Sequence, residues 1–148
     1  MTNPYDQRTR EAQYTICPDC GEDLEWHTCD EQPSERTLRI RELNDVFRKS
    51  TEHIALRVAK RELVVTSGVL AHGDDFITSA VDAVRTFDAF SPQNDPHGEH
   101  DFGSITIDGF ELYWKIDYHD LELEWGSPDP ADPAATKRVL TILLSEEY

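Results

Sequence analysis

The chain has few cationic side chains: 14 Lys and Arg stand against 30 Asp and Glu in 148 residues, a formal net charge of −16. The deficit is concentrated in residues 62–148, which carry four bases and 18 acids, and Lys115 is the only base in residues 95–132. Such a region repels nucleic acid and anionic membranes and attracts basic partners. Direct nucleic-acid binding is therefore disfavoured, and the alternatives to a basic partner are a solvated surface or adaptation to high salt.

Long hydrophobic runs are also lacking. Hydrophobic residues make up 38% of the chain, and no apolar stretch approaches the roughly 18 residues that a transmembrane helix needs. The first sixteen residues are polar and mixed in charge, unlike the apolar centre of a secretory signal peptide. We therefore expect a cytoplasmic protein with enough apolar side chains for one core.

Cysteine is scarce and clustered. All three, Cys17, Cys20 and Cys29, fall within thirteen residues, and an odd count argues against a disulfide framework. Cys-x-x-Cys followed by glycine is typical of a zinc-knuckle turn, and His27 with Cys29 offers a second ligand pair. The pattern predicts a closed, structural zinc site held by Cys17, Cys20, His27 and Cys29. Another histidine in place of His27, or a metal-free thiol pair, is the alternative.

Hydrophobic periodicity divides the chain into a flexible lead with the zinc-binding segment at 1–35 and an acidic α+β domain at 36–148. An amphipathic helix is predicted over 37–50. A second helix begins at Asp74 or Asp75, where an aspartate can cap the first turn. Its predicted apolar face comprises Ile77, Val81, Val84 and Phe87.

Strands are predicted on both sides of this second helix. Residues 53–67, rich in Ile, Leu and Val, indicate one or two strands. Asp108 and Gly109 form a type I′ hairpin signal, which places Ile107 opposite Phe110. Alternation on both sides of this turn predicts a three-stranded meander over 102–125.

A last helix is predicted over 133–146, with Asp132 as N-cap and Pro133 in its first turn. The fold class is thus α+β. It comprises a small antiparallel sheet, made of the three-stranded meander and one or two further strands, packed against about three helices, with an N-terminal zinc-knuckle segment.

The polar face of the predicted meander concentrates acids. Its register sets Asp117 opposite Glu122 and Lys115 opposite Glu124, and facing carboxylates destabilise a sheet unless a cation joins them. A basic protein surface, such as that of a nucleic-acid-handling complex, is the expected partner; a solvated face is the alternative. The candidate partner-binding residues are Asp101, Glu111, Asp117, Glu122 and Glu124.

The loop H-G-E-H-D at 97–101 packs metal-ligand and acid–base residue types together. His97, Glu99 and His100, with Asp117, are the candidate catalytic residues of a metal-assisted hydrolase. The alternative is a loop held by local hydrogen bonds. The sequence lacks a Walker loop, a G-x-S-x-G elbow and a dinucleotide-binding fingerprint, so no other enzyme class is indicated.

Three motifs carry a family resemblance: N-D-P-H-G-E-H-D-F-G at 94–103, W-K-I-D-Y at 114–118 and S-P-D-P-A-D-P at 127–133. With them, residues 37–148 resemble a bacterial family that is known only as a domain of unknown function. The resemblance implies a short α+β domain, frequent on plasmids and other mobile elements, with no known activity.

Three functions are compatible with these observations. The first is a non-catalytic acidic binding protein, such as a DNA-mimic inhibitor of a restriction or CRISPR nucleoprotein. The second is the metal-assisted hydrolase that uses the H-G-E-H-D loop. The third is a regulatory adaptor stabilised by the zinc segment.

Overall fold

The computed structural model of the protein describes residues 33–148, in which helices and strands are mixed along the chain. Residues Glu35–Tyr148 form one compact unit. Its elements are α1 (Glu35–Arg48), α2 (Ile54–Ala59), β1 (Leu63–Val65), α3 (Ser67–Leu70), α4 (Asp74–Arg85), β2 (Phe102–Ile107), β3 (Phe110–His119), β4 (Lys137–Leu144) and a 3-10 turn (Ser145–Glu147).

The sheet within residues 33–148 has four strands in the order β1-β4-β3-β2. Strand β1 runs parallel to β4, whereas β2 pairs antiparallel with β3 and β3 antiparallel with β4. The α+β class is confirmed. The sheet is mixed rather than wholly antiparallel, because β4 runs parallel to β1. Two helices and the β2–β3 hairpin separate these two strands along the chain.

One face of the sheet carries the core. Leu112, Trp114 and Ile116 are buried on this face, and the β3 residues between them are partly exposed, as a two-residue alternation requires. Helix α4 covers the same face with a broad apolar stripe. The buried members of that stripe are Phe76, Ile77, Ala80, Val81 and Val84.

The hairpin between β2 and β3 is confirmed. Asp108 and Gly109 both have positive φ, 51° and 84°, as a type I′ turn requires. Ile107 lies opposite Phe110 and Ile105 opposite Leu112. The tight turn therefore fixes the register that sends the apolar residues of both strands to the core.

Helices α1 and α4 are confirmed close to their predicted bounds. Both first-turn acids of α4, Asp74 and Asp75, lie at its N-terminus, where they complement the helix dipole. Helix α1 buries Ile40, Asn44 and Arg48 at a spacing of four residues, so two polar side chains enter the interior. No helix in the described residues is long and apolar enough to cross a membrane.

The helix predicted over 133–146 is wrong, because Lys137–Leu144 forms the strand β4. Val139 and Leu143 are buried on the face opposite the core, so β4 is covered on both sides. A strand of this kind loses its two-residue alternation, and its apolar run also fits a helix. The Oδ1 atom of Asp132 accepts the N–H of the residue two positions later (2.9 Å) and caps a turn, not a helix.

The third meander strand, predicted within 121–125, is also wrong. Asp120 accepts the backbone N–H of Glu124 at its Oδ1 atom (2.9 Å), and its own N–H donates to the carbonyl of Trp125 (2.9 Å). Leu123 has a φ of 59°. These bonds close a tight loop, which uses the backbone groups that a strand would pair.

The two cross-strand pairs that were predicted with this third strand, Asp117 with Glu122 and Lys115 with Glu124, are therefore wrong as well. Neither Glu122 nor Glu124 faces β3. Asp117 lies opposite Val139, and Lys115 lies opposite Thr141.

The interpretation of residues 53–67 is half correct. Leu63–Val65 is a strand, as predicted, but the apolar residues before it form the helix α2. The Nδ1 atom of His53 accepts the N–H of Ala55 (3.2 Å), which caps that helix. Arg61, with a φ of 60°, then turns the chain into β1.

Candidate functional site

Residues 91–101, which contain the H-G-E-H-D sequence, are fastened to helix α1. Arg41 donates from Nε to the carbonyl oxygen of Gly98 (2.6 Å), and Asn44 donates from Nδ2 to the carbonyl oxygen of Glu99 (2.9 Å). We call residues 91–101 the histidine loop. Because α1 supplies both donors, the position of this loop depends on residues more than fifty positions away in sequence.

His100 is held on three sides. Its ring stacks on Phe90 with 3.7 Å between centroids, and its Nδ1 lies 3.0 Å from Oδ1 of Asp45. Its backbone N–H donates to Oδ1 of Asp95 (3.1 Å), and its Nε2 lies 3.8 Å from Oδ2 of the same residue. His100 also has a φ of 56°. The imidazole is thus fixed between two carboxylates.

Tyr118 and Arg138 extend this polar cluster into the sheet. The hydroxyl of Tyr118 donates to Oε2 of Glu99 (2.8 Å) and accepts from Nδ2 of Asn44 (2.7 Å). Arg138 donates from Nε to Oδ1 of Asn44 (2.7 Å) and from Nη2 to the carbonyl of Pro130 (2.6 Å). One asparagine therefore joins α1, the histidine loop, β3 and β4.

Burial dominates the titration of this network. Burial raises the pKa of the Tyr118 hydroxyl well above its usual value, and the nearby Glu99 carboxylate raises it further. Burial lowers the pKa of Arg138, which the negative charge of Glu99 partly opposes. The pKa of Asp101 is raised by burial and then by Glu99. These groups are placed where neutral or paired forms are favoured.

Arg48, which is buried, contacts the polar cluster through Asp45. Its guanidinium donates from Nη1 to the carbonyls of Val84 (2.7 Å) and Phe87 (2.8 Å), and from Nη2 to Asp45 (3.0 Å). It lies 5.4 Å from the ring centroid of Trp114, a cation–π distance. The contact with Asp45 orients the carboxylate that faces His100.

The structure brings together only part of the predicted hydrolase set. Glu99 and His100 belong to the polar cluster, and His97 is exposed. Asp117 lies on the face of β3 opposite to that of Tyr118 and the polar cluster, because neighbouring strand residues alternate. Its Oδ2 atom is 3.2 Å from Nζ of Lys115. Within residues 33–148, no three His, Cys, Asp or Glu side chains are arranged to hold a metal ion. The hydrolase role stays a prediction.

The predicted partner-binding acids are spread over three places. Asp101 is half-buried at the end of the histidine loop, and its carbonyl accepts the N–H of Ile116 (2.8 Å). Glu111 is exposed on β3, where Ser104 Oγ lies 3.3 Å from its carboxylate. Glu122 and Glu124 are exposed in the tight loop after β3.

Residues 120–132, which we call the acidic loop, expose apolar side chains among these carboxylates. Trp125 is 75% exposed and Leu121 is 56% exposed, with Glu122 and Glu124 beside them. The loop is anchored at its far end, where Asp129 accepts from Nη1 of Arg36 (2.6 Å). That guanidinium holds the pKa of Asp129 below its usual range. The acidic loop is therefore held at Asp129, while its tip, residues 121–125, is largely exposed to solvent.

The predicted zinc ligands Cys17, Cys20, His27 and Cys29 lie outside the described residues. The zinc site and the division of the chain at residue 35 stay predictions.

A family comparison identifies the main region. A family model described as a protein of unknown function, DUF3768, matches residues 65–147, more than half of the chain. The chain belongs to the DUF3768 family. The predicted membership of a family of unknown function is confirmed to that extent, whereas the association of DUF3768 with plasmids stays a prediction. No curated protein and no solved structure matches the chain.

Sequence reasoning missed the residues of the polar cluster on α1 and β4 in this DUF3768 protein. Asn44, Asp45, Arg48 and Arg138 were not predicted as site residues. A signal was present on α1, because Asn44 and Arg48 follow Ile40 at the spacing of a core-facing stripe. A polar residue on such a stripe needs a buried partner. Asn44 finds it in the histidine loop, and Arg48 finds it in the carbonyl groups of Val84 and Phe87.

Proposed function

We propose that this DUF3768 protein is a non-catalytic binding protein whose acidic loop engages a basic protein surface. The observation that carries the proposal is the exposed Trp125 beside the exposed carboxylates of Glu122 and Glu124, neither of which has an ion pair within residues 33–148. Exposed tryptophan is enriched among the residues that dominate binding energy at interfaces. Its ring face also attracts the guanidinium or ammonium groups of a basic partner.

The histidine loop also supports a non-catalytic role. Two of its titratable groups already have partners inside the molecule: Glu99 binds Tyr118, and His100 contacts Asp45. A catalytic acid or base needs access to its substrate. Glu122 and Glu124 of the acidic loop, by contrast, present their carboxylates to solvent.

Electrostatics extends the proposal to the kind of partner. Residues 62–148 carry four bases against 18 acids, so their field attracts cationic surfaces and accelerates encounter with them. A basic groove that normally receives DNA phosphates is a surface of that kind. We therefore propose a nucleic-acid-handling complex, such as a restriction or CRISPR nucleoprotein, as the partner class.

DNA competition tests this proposal. The purified protein is titrated into fluorescein-labelled duplex DNA bound to each of a panel of purified restriction and CRISPR nucleases. We expect displacement of DNA from at least one of them, with an apparent affinity that falls steeply as salt is raised. Absence of displacement from every nuclease at low salt would contradict the proposal.

A matched pair of variants separates the acidic loop from net charge. The double variant Glu122→Gln, Glu124→Gln and the double variant Asp88→Asn, Glu146→Gln remove the same charge, and all four side chains are exposed. We expect only the first to weaken displacement, by about tenfold if each carboxylate contributes roughly 0.7 kcal/mol. Equal weakening by both would show that net charge alone drives the competition.

A further inference from the structure

A second surface of the molecule is apolar and lies beside β1. A cavity of about 1060 Å³ opens there, and its floor includes Leu63 and Ile77, which are buried in the core. Val58, Val64 and Leu70 line it and are among the exposed large hydrophobic side chains of residues 33–148. We call this cavity the β1 groove. Exposed apolar walls above a buried floor are typical of a binding site.

Strand β1 forms one wall of the groove and is an edge strand of the described sheet. The carbonyl of Glu62 accepts from Leu140, and the N–H of Thr66 donates to Ile142 (2.8 and 3.1 Å). In a parallel ladder, alternate residues of a strand direct their N–H and C=O groups to the same neighbour. Since Glu62 and Thr66 bond to β4, the N–H and C=O groups of Val65 point away from β4. Val65 lines the groove, so the groove offers a backbone donor and acceptor as well as apolar contacts.

The charges on the rim decide what could bind there. The Glu52 carboxylate is paired with Lys60 (2.6 Å), and Asp82 is paired with Arg85 (2.9 Å). Asp74 also lines the groove, and no ion pair within residues 33–148 involves it. Its carboxylate therefore remains available to a cation of a ligand.

Arg61 is the corresponding cation on the rim and has no ion pair in the described part of the chain. Its guanidinium can receive a backbone carbonyl or carboxylate of the same ligand. The surrounding field is strongly negative, with four bases against 18 acids in residues 62–148. Charge complementarity therefore favours a ligand whose own charge is net positive.

We propose that the β1 groove binds an apolar segment of a partner protein that carries a lysine or arginine, which pairs with Asp74. Apolar side chains of the segment contact Val58 and Ile77, and its backbone bonds to Val65. This inference rests on the proposed function only for the sign of the partner's charge. It adds a second contact, separate from the acidic loop, that recognises apolar sequence rather than charge alone.

Selection from a phage library of random dodecapeptides tests the groove. We expect enriched peptides to combine apolar residues with Lys or Arg, and the synthetic form of the most enriched one to shift the amide NMR signals of Val58, Val65 and Ile77. Shifts confined to other residues, or the absence of any enriched peptide, would overturn the proposal.

Matched variants on α2 test the apolar wall. Val58 and Leu56 are 45% and 47% exposed, but only Val58 lines the groove. Val58→Lys sets an ammonium group against the bound apolar side chains, so we expect it to weaken the selected peptide at least about tenfold. Leu56→Lys makes the same chemical change outside the groove and should leave the affinity unchanged. Equal effects would overturn the proposal.

Matched variants on α4 test the charge. Asp74 and Asp75 are adjacent exposed acids in the first turn, and only Asp74 lines the groove. We expect Asp74→Asn to weaken the peptide about two- to fivefold, as an exposed ion pair allows. Asp75→Asn changes the helix dipole similarly and should have no effect on affinity. An effect of Asp75→Asn as large as that of Asp74→Asn would overturn the assignment.

Two further outcomes distinguish the possible occupants and the two proposals. If the protein dimerises in sedimentation experiments and Val58→Lys abolishes the dimer, the occupant is a second copy and the proposal is overturned. The acidic-loop variant Glu122→Gln, Glu124→Gln should retain peptide binding. Loss of DNA competition in that variant with intact peptide binding would support both sites, whereas peptide binding without any DNA competition would support the groove alone.

Discussion

The histidine loop (91–101) and the acidic loop (120–132) are both rich in proline and acidic residues, yet they use their side chains differently. The histidine loop is bonded to α1 through Arg41 and Asn44, and its Glu99 and His100 have protein partners. The acidic loop is anchored at Asp129 and exposes its tip. The comparison teaches that residue types typical of active sites can be engaged in hydrogen bonds within the protein, as Glu99 and His100 are. The exposed side chains of the acidic loop are instead the ones for which we propose a partner.

The largest expected effect comes from removing the residue that fastens the histidine loop. Asn44 is fully buried and bonds to Glu99, Tyr118 and Arg138. We expect Asn44→Ala to lower the free energy of unfolding by about 2–4 kcal/mol, because it leaves buried polar partners unsatisfied. Urea denaturation measures this. A loss below about 1 kcal/mol would show that the loop does not depend on α1.

A pair of glycines compares the two loops directly. Gly98 has a φ of +68°, and an added Cβ would lie 2.9 Å from Nη2 of Arg41, whereas a Cβ at Gly126 would meet nothing within 4 Å. We expect Gly98→Ala to cost about 1–2 kcal/mol of unfolding free energy and Gly126→Ala to change it by less than about 0.5 kcal/mol. Thermal and urea denaturation of both variants check this. Equal losses would remove the distinction between the loops.

The pH dependence of stability reports the burial of Tyr118. An unfolded tyrosine ionises near its ordinary pKa of 10.0, whereas the folded Tyr118 keeps its proton to higher pH. Above pH 10 the unfolded state therefore binds fewer protons, and stability falls as pH rises, by at most about 1.4 kcal/mol per unit.

We expect Tyr118→Phe to flatten this alkaline decline in urea denaturation at a series of pH values. Tyr148→Phe, at an exposed tyrosine, is the control and should keep it. An unchanged decline in Tyr118→Phe would place the alkaline transition elsewhere.

The smallest effect on stability is expected in the acidic loop. Trp125 is largely exposed, so Trp125→Ala should change the free energy of unfolding by less than about 0.5 kcal/mol. The same variant should weaken DNA displacement, since the ring is the proposed contact. A clear loss of stability in urea denaturation would indicate that Trp125 packs within the protein instead.

Local signals predicted much of this fold. The hairpin was predicted because positive φ at Asp108 and Gly109 is a local requirement, and α4 because its apolar stripe is complete within twelve residues. Strand β4 was not predicted, since a central strand is defined by neighbours on both sides rather than by its own alternation. The strand predicted at 121–125 failed because the side chain of Asp120 captures backbone amides that a strand would pair.

The candidate site was predicted less well than the fold. The histidine loop was singled out from its residue types. The sequence left two interpretations of it open, a hydrolase site and a loop held by local hydrogen bonds. The partners Asn44 and Arg138 were missed, because they lie on α1 and β4, far from the loop in sequence. Contacts of this kind depend on the tertiary packing of helix on sheet, which no local pattern contains.

The central position of β4 has a consequence for folding. Within residues 33–148, strand β1 joins the sheet only through β4, and Leu63 pairs with Leu140. During synthesis, β1 therefore cannot pair until Lys137–Leu144 has left the ribosome. The β2–β3 hairpin can form earlier, because its contacts are local. We expect a chain truncated before Lys137 to bind a hydrophobic dye and to lack a cooperative thermal transition.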